Sequence, residues 1–483
     1  MPVLTTPCGA LSGVASDGAT VYLGIPYALP PVGPLRFQAP VAVPSWTGIR
    51  EATAFGPSAP QVSGGPFSGL VPGMEVGEAS EDCLTLNIWA PDGGSDLPVM
   101  VWIHGGAFVV GGSSLATYDG LMLATEQQVV VVSVNYRLGA LGWLTGLDGV
   151  IPNCGLLDQV LALTWVRDNI AAFGGDPGSV TVFGESGGAG SVLHLLAAPV
   201  ADGLFHRAIS QSPGAGQTLP LDVAVTVSAA FAAKVPDLVS ATVDELLAAQ
   251  TEVAGELLMT VGSMPFHPAV DGLTLPAAPL VSTRPVPLLA GTTSEEMRLF
   301  AEPYLADFDH DTLVMILAGL MSAEAHRALP TKDVDAVITA YEQALMPPGD
   351  RADVFAAVAT DVTMRLPLAA LLDRHEGPVY AYSFTWRATG APRDVGACHA
   401  VDLPFTFGTL DRCGWGSWVG DEAEAELLSQ WVRAAWASFA RTGEPAAAWP
   451  KYDSNRLVMG LGRTVGVLED PWATARDRCA DLG

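Results

Sequence analysis

From Leu97 onward the chain switches between two hydrophobic periods. LPVMVWI, VVVVSVNY and VTVFGES are unbroken apolar runs rich in valine. Runs of this kind belong to strands covered on both faces, as in a mostly parallel sheet. Between them LATYDGLMLATEQ and GLLDQVLALTWVRDNIAAFGGDP carry apolar residues at helical spacing, the second stopping at Gly-Gly-Asp-Pro. GAGSVLHLLAAP predicts a helix after the third strand, and HRAISQS, VPLLAGT and PVYAYSFTW predict three more strands. The alternation predicts an α/β fold, a mostly parallel central sheet flanked by helices.

Other stretches have a different character. Residues 220–258 and 300–372 are rich in Ala, Leu and acidic residues at helical spacing, which predicts helical excursions from the sheet. EAEAELLSQWVRAAWASFARTGEP predicts an amphipathic helix closed by Gly443. Residues 56–80 hold many Gly, Pro and Ser with little periodicity, so a long surface loop is expected, and such loops are often functional. With no internal repeat, low-complexity tract or linker, one catalytic domain over residues 1–483 is expected, although a prior of about 150 residues per domain would divide it.

Composition narrows the function. Acidic residues outnumber basic ones 51 to 23, a formal charge of −28, which argues against nucleic acid or an anionic membrane as partner and serves solubility. MPVLTTPCGALSGV lacks the basic and apolar regions of a secretory signal. MVWIHGGAFVVGG and VVVVSVNYRLGALGWL fall short of the roughly 20 apolar residues of a membrane span or are interrupted. The six cysteines, at 8, 83, 154, 398, 413 and 479, have no CxxC spacing, so neither a zinc site nor a disulfide framework is expected. A soluble, cytoplasmic protein follows; nothing here fixes an oligomeric state.

The chemistry gathers at VTVFGESGG, where Ser186 is the centre of the only Gly-x-Ser-x-Gly in the chain. A nucleophile on a sharp strand-to-helix turn has strained backbone angles and close neighbours, which requires Gly184 and Gly188 to lack side chains. A serine hydroxyl needs a base, and the base an orienting acid; in the α/β-hydrolase arrangement both follow the serine. Of eight histidines, His104 precedes the serine, His194 lies on the following helix and His206 opens a strand. His310 and His326 fall in a helical excursion, His267 precedes the acid candidates, and His375 precedes the PVYAYSF strand. His399, in GACHAVDLPFTFG after that strand, remains as the catalytic candidate. VPLLAGTTSEEM offers Glu295 and Glu296 just beyond a buried strand, and position alone does not separate them. WIHGGAFVVGG has the form of a loop whose Gly105, Gly106 and Ala107 N–H groups, with Gly187 from the serine turn, stabilise an oxyanion. Such donors contribute on the order of 3 kcal/mol each.

These residues resemble the type B carboxylesterases, the family of the cholinesterases and bacterial para-nitrobenzyl esterases. FGGDPGSVTVFGESGG and EDCLTLNIWAP match its two signatures, and YLGIPYALPPVGPLRFQAP, HGGAF, VNYRLG, GLLDQ, LFHRAISQS, GTTSEE and HAVDLPFTFG follow in family order. The resemblance implies an α/β-hydrolase fold with Ser186 as nucleophile, Glu296 as acid, His399 as base, and Gly106, Ala107 and Gly187 as oxyanion donors. It implies structural ion pairs Arg36–Glu81 and Arg137–Asp158. Three positions depart from the family: Gly187 stands where alanine is usual, Met297 where glycine follows the acid, and Ala59 where a cysteine would pair with Cys83. The last predicts a freer 56–80 loop beside the active-site mouth.

The expected activity is hydrolysis of small to medium neutral carboxylic esters through an acyl-enzyme, without metal or organic cofactor. Phe108, Val109, Phe266, His267, Met297 and Phe405 are expected to line an apolar pocket. Aryl carbamates, anilides or phthalate-type diesters are alternative substrates for the same triad. A non-catalytic adhesion or scaffold member would have lost the serine or histidine, and a surface-acting lipase would carry an amphipathic lid; neither feature is present in the sequence.

Overall fold

A computed structural model of the chain describes all residues except 63–68, 215–216, 259, 263, 302–307, 325–328, 345–349, 447 and 481–483. Among them an 11-stranded sheet runs in the spatial order Gly466–Glu469, Leu457–Leu461, Val379–Phe384, Leu288–Thr293, Arg207–Gln211, Gly175–Glu185, Leu97–Ile103, Val130–Val134, Thr85–Pro91, Ala19–Pro26, Val14–Ser16. Neighbours are parallel from Leu457–Leu461 across to Val130–Val134, and both edges are closed by antiparallel strands.

The central strands are buried on both faces, which explains their unbroken apolar sequence. Along Leu97–Ile103, Val99, Val101 and Ile103 enter the core on one face, and Met100 and Trp102 the core on the other. The serine strand leads into the helix Gly187–Ala197. The first helical excursion is Leu221–Lys234 and Val243–Leu257; the second includes His310–Glu324, Thr331–Ala344 and Arg351–Thr360, which share their own apolar cluster around Leu317, Ile338 and Val358. Glu422–Thr442 ends at Gly443, in the left-handed conformation expected of a helix stop.

The strands next to the two edges are the ones the sequence shows least clearly. Ala19–Pro26 shifts register between Tyr22 and Ile25, so it does not alternate cleanly. Leu457–Leu461 is short and contains Gly460. Arg351–Leu372, within the expected second excursion, is long and apolar enough to cross a membrane by length and composition alone. Yet 61% of its apolar window is buried inside the protein, and a π-helical turn, Asp361–Arg365, interrupts it.

Two ion pairs tie distant segments together. Arg36 meets Glu81 at 2.7 Å and also donates to the carbonyls of Leu238, Val239 and Ala241, anchoring the first excursion. Arg137 and Asp158 meet at 2.7 Å with side chains 3% and 0% exposed. Removing one partner of a buried pair leaves the other charge uncompensated. Asp158→Ala is therefore expected to cost about 3–5 kcal/mol in denaturant unfolding. Asp168→Ala, which breaks the exposed Arg167–Asp168 pair, should cost at most about 1 kcal/mol.

Candidate active site

The serine sits where the strand ending at Glu185 turns into a helix. Ser186 has φ 57° and ψ −124°, a sparsely populated region for a residue with a side chain. Its N–H donates to the Gln211 carbonyl at 2.9 Å, and its own carbonyl accepts from Gly190 at 2.9 Å. A Cβ on Gly184 would lie 2.7 Å from the Ile103 carbonyl oxygen, and one on Gly188 would collide with the same atom. Both glycines are thus imposed by the adjacent strand.

Glu296 opens the short turn after Leu288–Thr293 and is fully buried. One carboxylate oxygen accepts the Thr293 N–H at 2.7 Å, and the other bonds His399 Nδ1 at 2.6 Å. The His399 N–H also donates to the Glu296 carbonyl at 3.1 Å. Glu295 faces the other way, toward Arg387 and the Ala397 N–H. Of the two adjacent carboxylates, Glu296 holds the imidazole.

Two further acids surround it. Glu185 Oε1 lies 3.1 Å from His399 Nε2, and Asp402 accepts from Gln211 Nε2 at 2.8 Å; both acids are buried. Burial pushes the Glu185 carboxyl up to about 8, opposed by His399 and reinforced by Asp402 and Glu296. Burial likewise raises Asp402, to about 6. For His399 burial works downward, but Glu185, Glu296 and the hydrogen bond to Glu296 outweigh it and raise the imidazole to about 9. Sequence reasoning missed Glu185 and Asp402. The available signal was a carboxylate directly before the serine, and another three residues after the histidine, each within an otherwise apolar motif.

After Leu97–Ile103 the chain turns sharply, with positive φ at Gly106, Ala107 and Phe108. The Gly106 and Ala107 N–H groups have no protein acceptor among the described residues. The Gly105 N–H lies near the Tyr118 hydroxyl. Gly187, at the helix start, has no intrahelical acceptor for its N–H. A Cβ on it would lie 3.2 Å from the Ala107 nitrogen, so the two turns abut.

Ser186, His399, Glu185, Gly106 and Ala107 line one cavity of about 270 Å³. No hydrogen bond joins Ser186 to His399 across it, a looseness common in free enzymes. The apolar wall comes from Leu70, Val71, Met74 and Val76 on one side and Leu299 and Phe300 on the other. The Phe300 ring packs against the imidazole with centroids 5.7 Å apart. The 70–79 wall belongs to the loop expected at the mouth. It is pinned where Thr117 Oγ1 donates to the Gly73 carbonyl at 3.1 Å and where Ser58 N–H donates to the Glu78 carbonyl at 2.9 Å. Greater freedom was expected over residues 56–80, of which 63–68 lie outside the described residues. Gln61 exchanges two 2.8 Å hydrogen bonds with the Gly111 backbone, fastening this loop to the Gly106–Gly111 turn.

None of the six expected pocket residues lines this cavity. The Phe108 carbonyl binds Gly139 N–H and Trp143 Nε1, and its ring turns inward onto Trp143. Val109 packs against the main core, Phe266 meets Phe231 edge to face, and His267 Nδ1 bonds the Met264 carbonyl. Met297 joins the cluster of the second excursion, and Phe405 is enclosed by Phe384 and Trp386. Phe108, Val109, Met297 and Phe405 are close in sequence to site residues, but their turns aim them behind the wall.

The other described histidines are tied elsewhere: His104 to Gly105, His194 to Thr218, His206 to Val180, His375 to Thr283 and Val286, and His310 to Asp335. His326 lies outside the described residues. All six cysteines are free.

Residues 1–475 match the carboxylesterase family. The chain is 37% identical over 498 residues to the para-nitrobenzyl esterase of Bacillus subtilis, covering 99% of this chain and 98% of that one. It is 35% identical to the phenmedipham hydrolase of Pseudarthrobacter oxydans, with 95% of each covered. Among solved structures it is similar to a thermophilic PNB esterase, with TM-score 0.86, 35% identity and 99% of both chains covered. A carboxylesterase of Geobacillus stearothermophilus follows at TM-score 0.85 and 33% identity, with 99% of this chain and 100% of that one covered. The large mixed sheet flanked by helices is therefore the α/β-hydrolase fold.

The carboxylates around His399 stabilise its cation. Glu185→Gln, which removes one of them, is expected to shift the His399 NMR titration to lower pH; an unchanged or raised midpoint would contradict the electrostatic picture.

Proposed function

The chain belongs to the carboxylesterase family and hydrolyses carboxylic esters, and we propose that it does so through an acyl-enzyme on Ser186. His399 takes the Ser186 proton as Oγ attacks the ester carbonyl, and the resulting imidazolium is stabilised by its hydrogen bond to Glu296. The Gly106, Ala107 and Gly187 N–H groups stabilise the oxyanion of the tetrahedral intermediate. His399 then protonates the leaving alcohol oxygen as its bond to the acyl carbon breaks. Water, deprotonated by the same imidazole, attacks the acyl carbon and releases the acid with the proton returned to Oγ. The observation that carries this reading is the buried 2.6 Å bond between Glu296 and His399 Nδ1, on an imidazole that shares its cavity with Ser186.

The cavity supports neutral esters as substrates. Its wall is mainly aliphatic, its carboxylates are Glu75 and Glu185, and no lysine or arginine is among the described lining residues. A carboxylate on the substrate would meet these acids without a counter-charge. We also place the protein in the cytoplasm, a reading supported by the six free thiols.

Three outcomes test the proposal. On a panel of short and medium aryl esters, an aryl carbamate, an anilide and a dicarboxylate half-ester, neutral esters should turn over fastest and the half-ester slowest. Faster carbamate turnover would move the substrate assignment while leaving the triad intact. Ser186→Ala should lower kcat by at least about 10³-fold, and Glu296→Gln by about 10²- to 10⁴-fold; ester turnover persisting in the alanine variant would sink the mechanism. Because His399 must be neutral to act as base and its neighbours favour the cation, kcat/KM should rise with pH through a midpoint above the ordinary imidazole value of about 6.5.

A further inference from the structure

Glu296 and His399 lie 103 residues apart in the chain, so contacts between their two segments must hold the imidazole on its carboxylate. Two of these are backbone bonds: Glu295 N–H to the Ala397 carbonyl at 3.0 Å, and His399 N–H to the Glu296 carbonyl at 3.1 Å. A third comes from the acid that the triad leaves unused. Glu295 Oε2 accepts the Ala397 N–H at 2.9 Å and also pairs with Arg387. Gly396, at φ 62°, makes room for it, since a Cβ there would lie 2.5 Å from that oxygen.

Charged groups from four segments meet at this carboxylate. Arg298, on the Glu296 turn, has Nη1 3.6 Å from Glu295 Oε1 and 2.7 Å from Asp353 of the helix Arg351–Thr360. Its Nη2 reaches Asp394 at 3.0 Å, and its Nε donates to the Asp394 carbonyl at 3.1 Å. Asp394 in turn accepts the Gly396 N–H at 3.1 Å and Arg387 Nη2 at 3.0 Å. Isolated surface ion pairs contribute little, but a network converging on one backbone loop restricts that loop.

We propose that Glu295 is a positioning residue for the reaction assigned above. It does not line the cavity; it fixes the 394–399 loop against the Glu296 turn so that His399 Nδ1 stays within hydrogen-bonding distance of Glu296. The two adjacent carboxylates divide the work, one orienting the ring and the other the loop that carries it. A carboxylate suits this position because a single oxygen can accept from an amide and a guanidinium while the second faces another guanidinium. A glutamine can accept from Ala397 but gives up the charge. The inference rests on His399 being the base, and the imidazole faces Glu185, Glu296 and Asp402 from three different segments.

The test compares wild type with Glu295→Ala, Glu295→Gln, Arg387→Met and Glu296→Gln on a p-nitrophenyl ester, with kcat, KM, pH profile and thermal melting measured for each. Glu295→Ala should lower kcat by about 10- to 100-fold, the scale of a slightly misplaced catalytic group, with KM little changed. The kcat/KM midpoint should move to lower pH, because an imidazole held less firmly on Glu296 has a less favoured cation. Glu295→Gln should recover part of the loss, and Arg387→Met should show a smaller shift in the same directions. Should Glu295→Ala fail to fold, these two variants carry the test. Lower melting temperatures with wild-type kcat and pH midpoint, alongside an inactive Glu296→Gln, would overturn the positioning role and leave the triad standing. Full activity in Glu296→Gln would overturn the triad reading, and the positioning role with it.

Discussion

A carboxylate removed from water must be satisfied by other groups, and Glu296 meets that demand with one backbone N–H and one imidazole nitrogen. Much of the architecture arranges this contact. The parallel strands end side by side, pairing Glu185 with Gln211, Gln211 with Gly291, and Thr293 with Phe384. The serine turn, the acid turn and the histidine loop therefore leave the sheet at one edge, the carboxyl ends where ligands bind in open α/β sheets.

Gln211 joins these parts. Its backbone carbonyl accepts the Ser186 N–H, and its side chain donates to Asp402 and Thr406 while accepting from Trp436. One residue thus links the strained serine to the segment after His399 and to the long C-terminal helix. The strain at Ser186 persists because these bonds and the close approach of Ile103 define the turn. The surrounding acids have an opposing effect: they stabilise the imidazolium formed during reaction but raise the pH at which the free imidazole becomes available.

The parallel core was legible because each central strand is buried on both faces, and valine runs such as Val130–Val134 leave little ambiguity. The strands next to the edges were not, because Gly24, Gly460 and the register shift at Tyr22 blur their period. At the site, the need for small neighbours around Ser186 was visible in the glycine spacing. Position in the chain did not separate the adjacent Glu295 and Glu296; the family resemblance pointed to Glu296, and the three-dimensional turn aims that carboxylate at His399. The cavity wall was the least legible part. Leu70, Val71, Met74 and Val76 are brought in by a loop with no periodicity, whereas Phe108 and Phe405, next to the site in sequence, are turned into the cores. Sequence adjacency identifies a turn, but not which side of it a ring occupies.

The most direct test of the central claim is mass spectrometry of the enzyme acid-quenched during turnover of a p-nitrophenyl ester. The account predicts an acyl mass increment on the peptide containing Ser186, and its loss in Ser186→Ala. An increment on another residue, or undiminished acylation of the alanine variant, would contradict it.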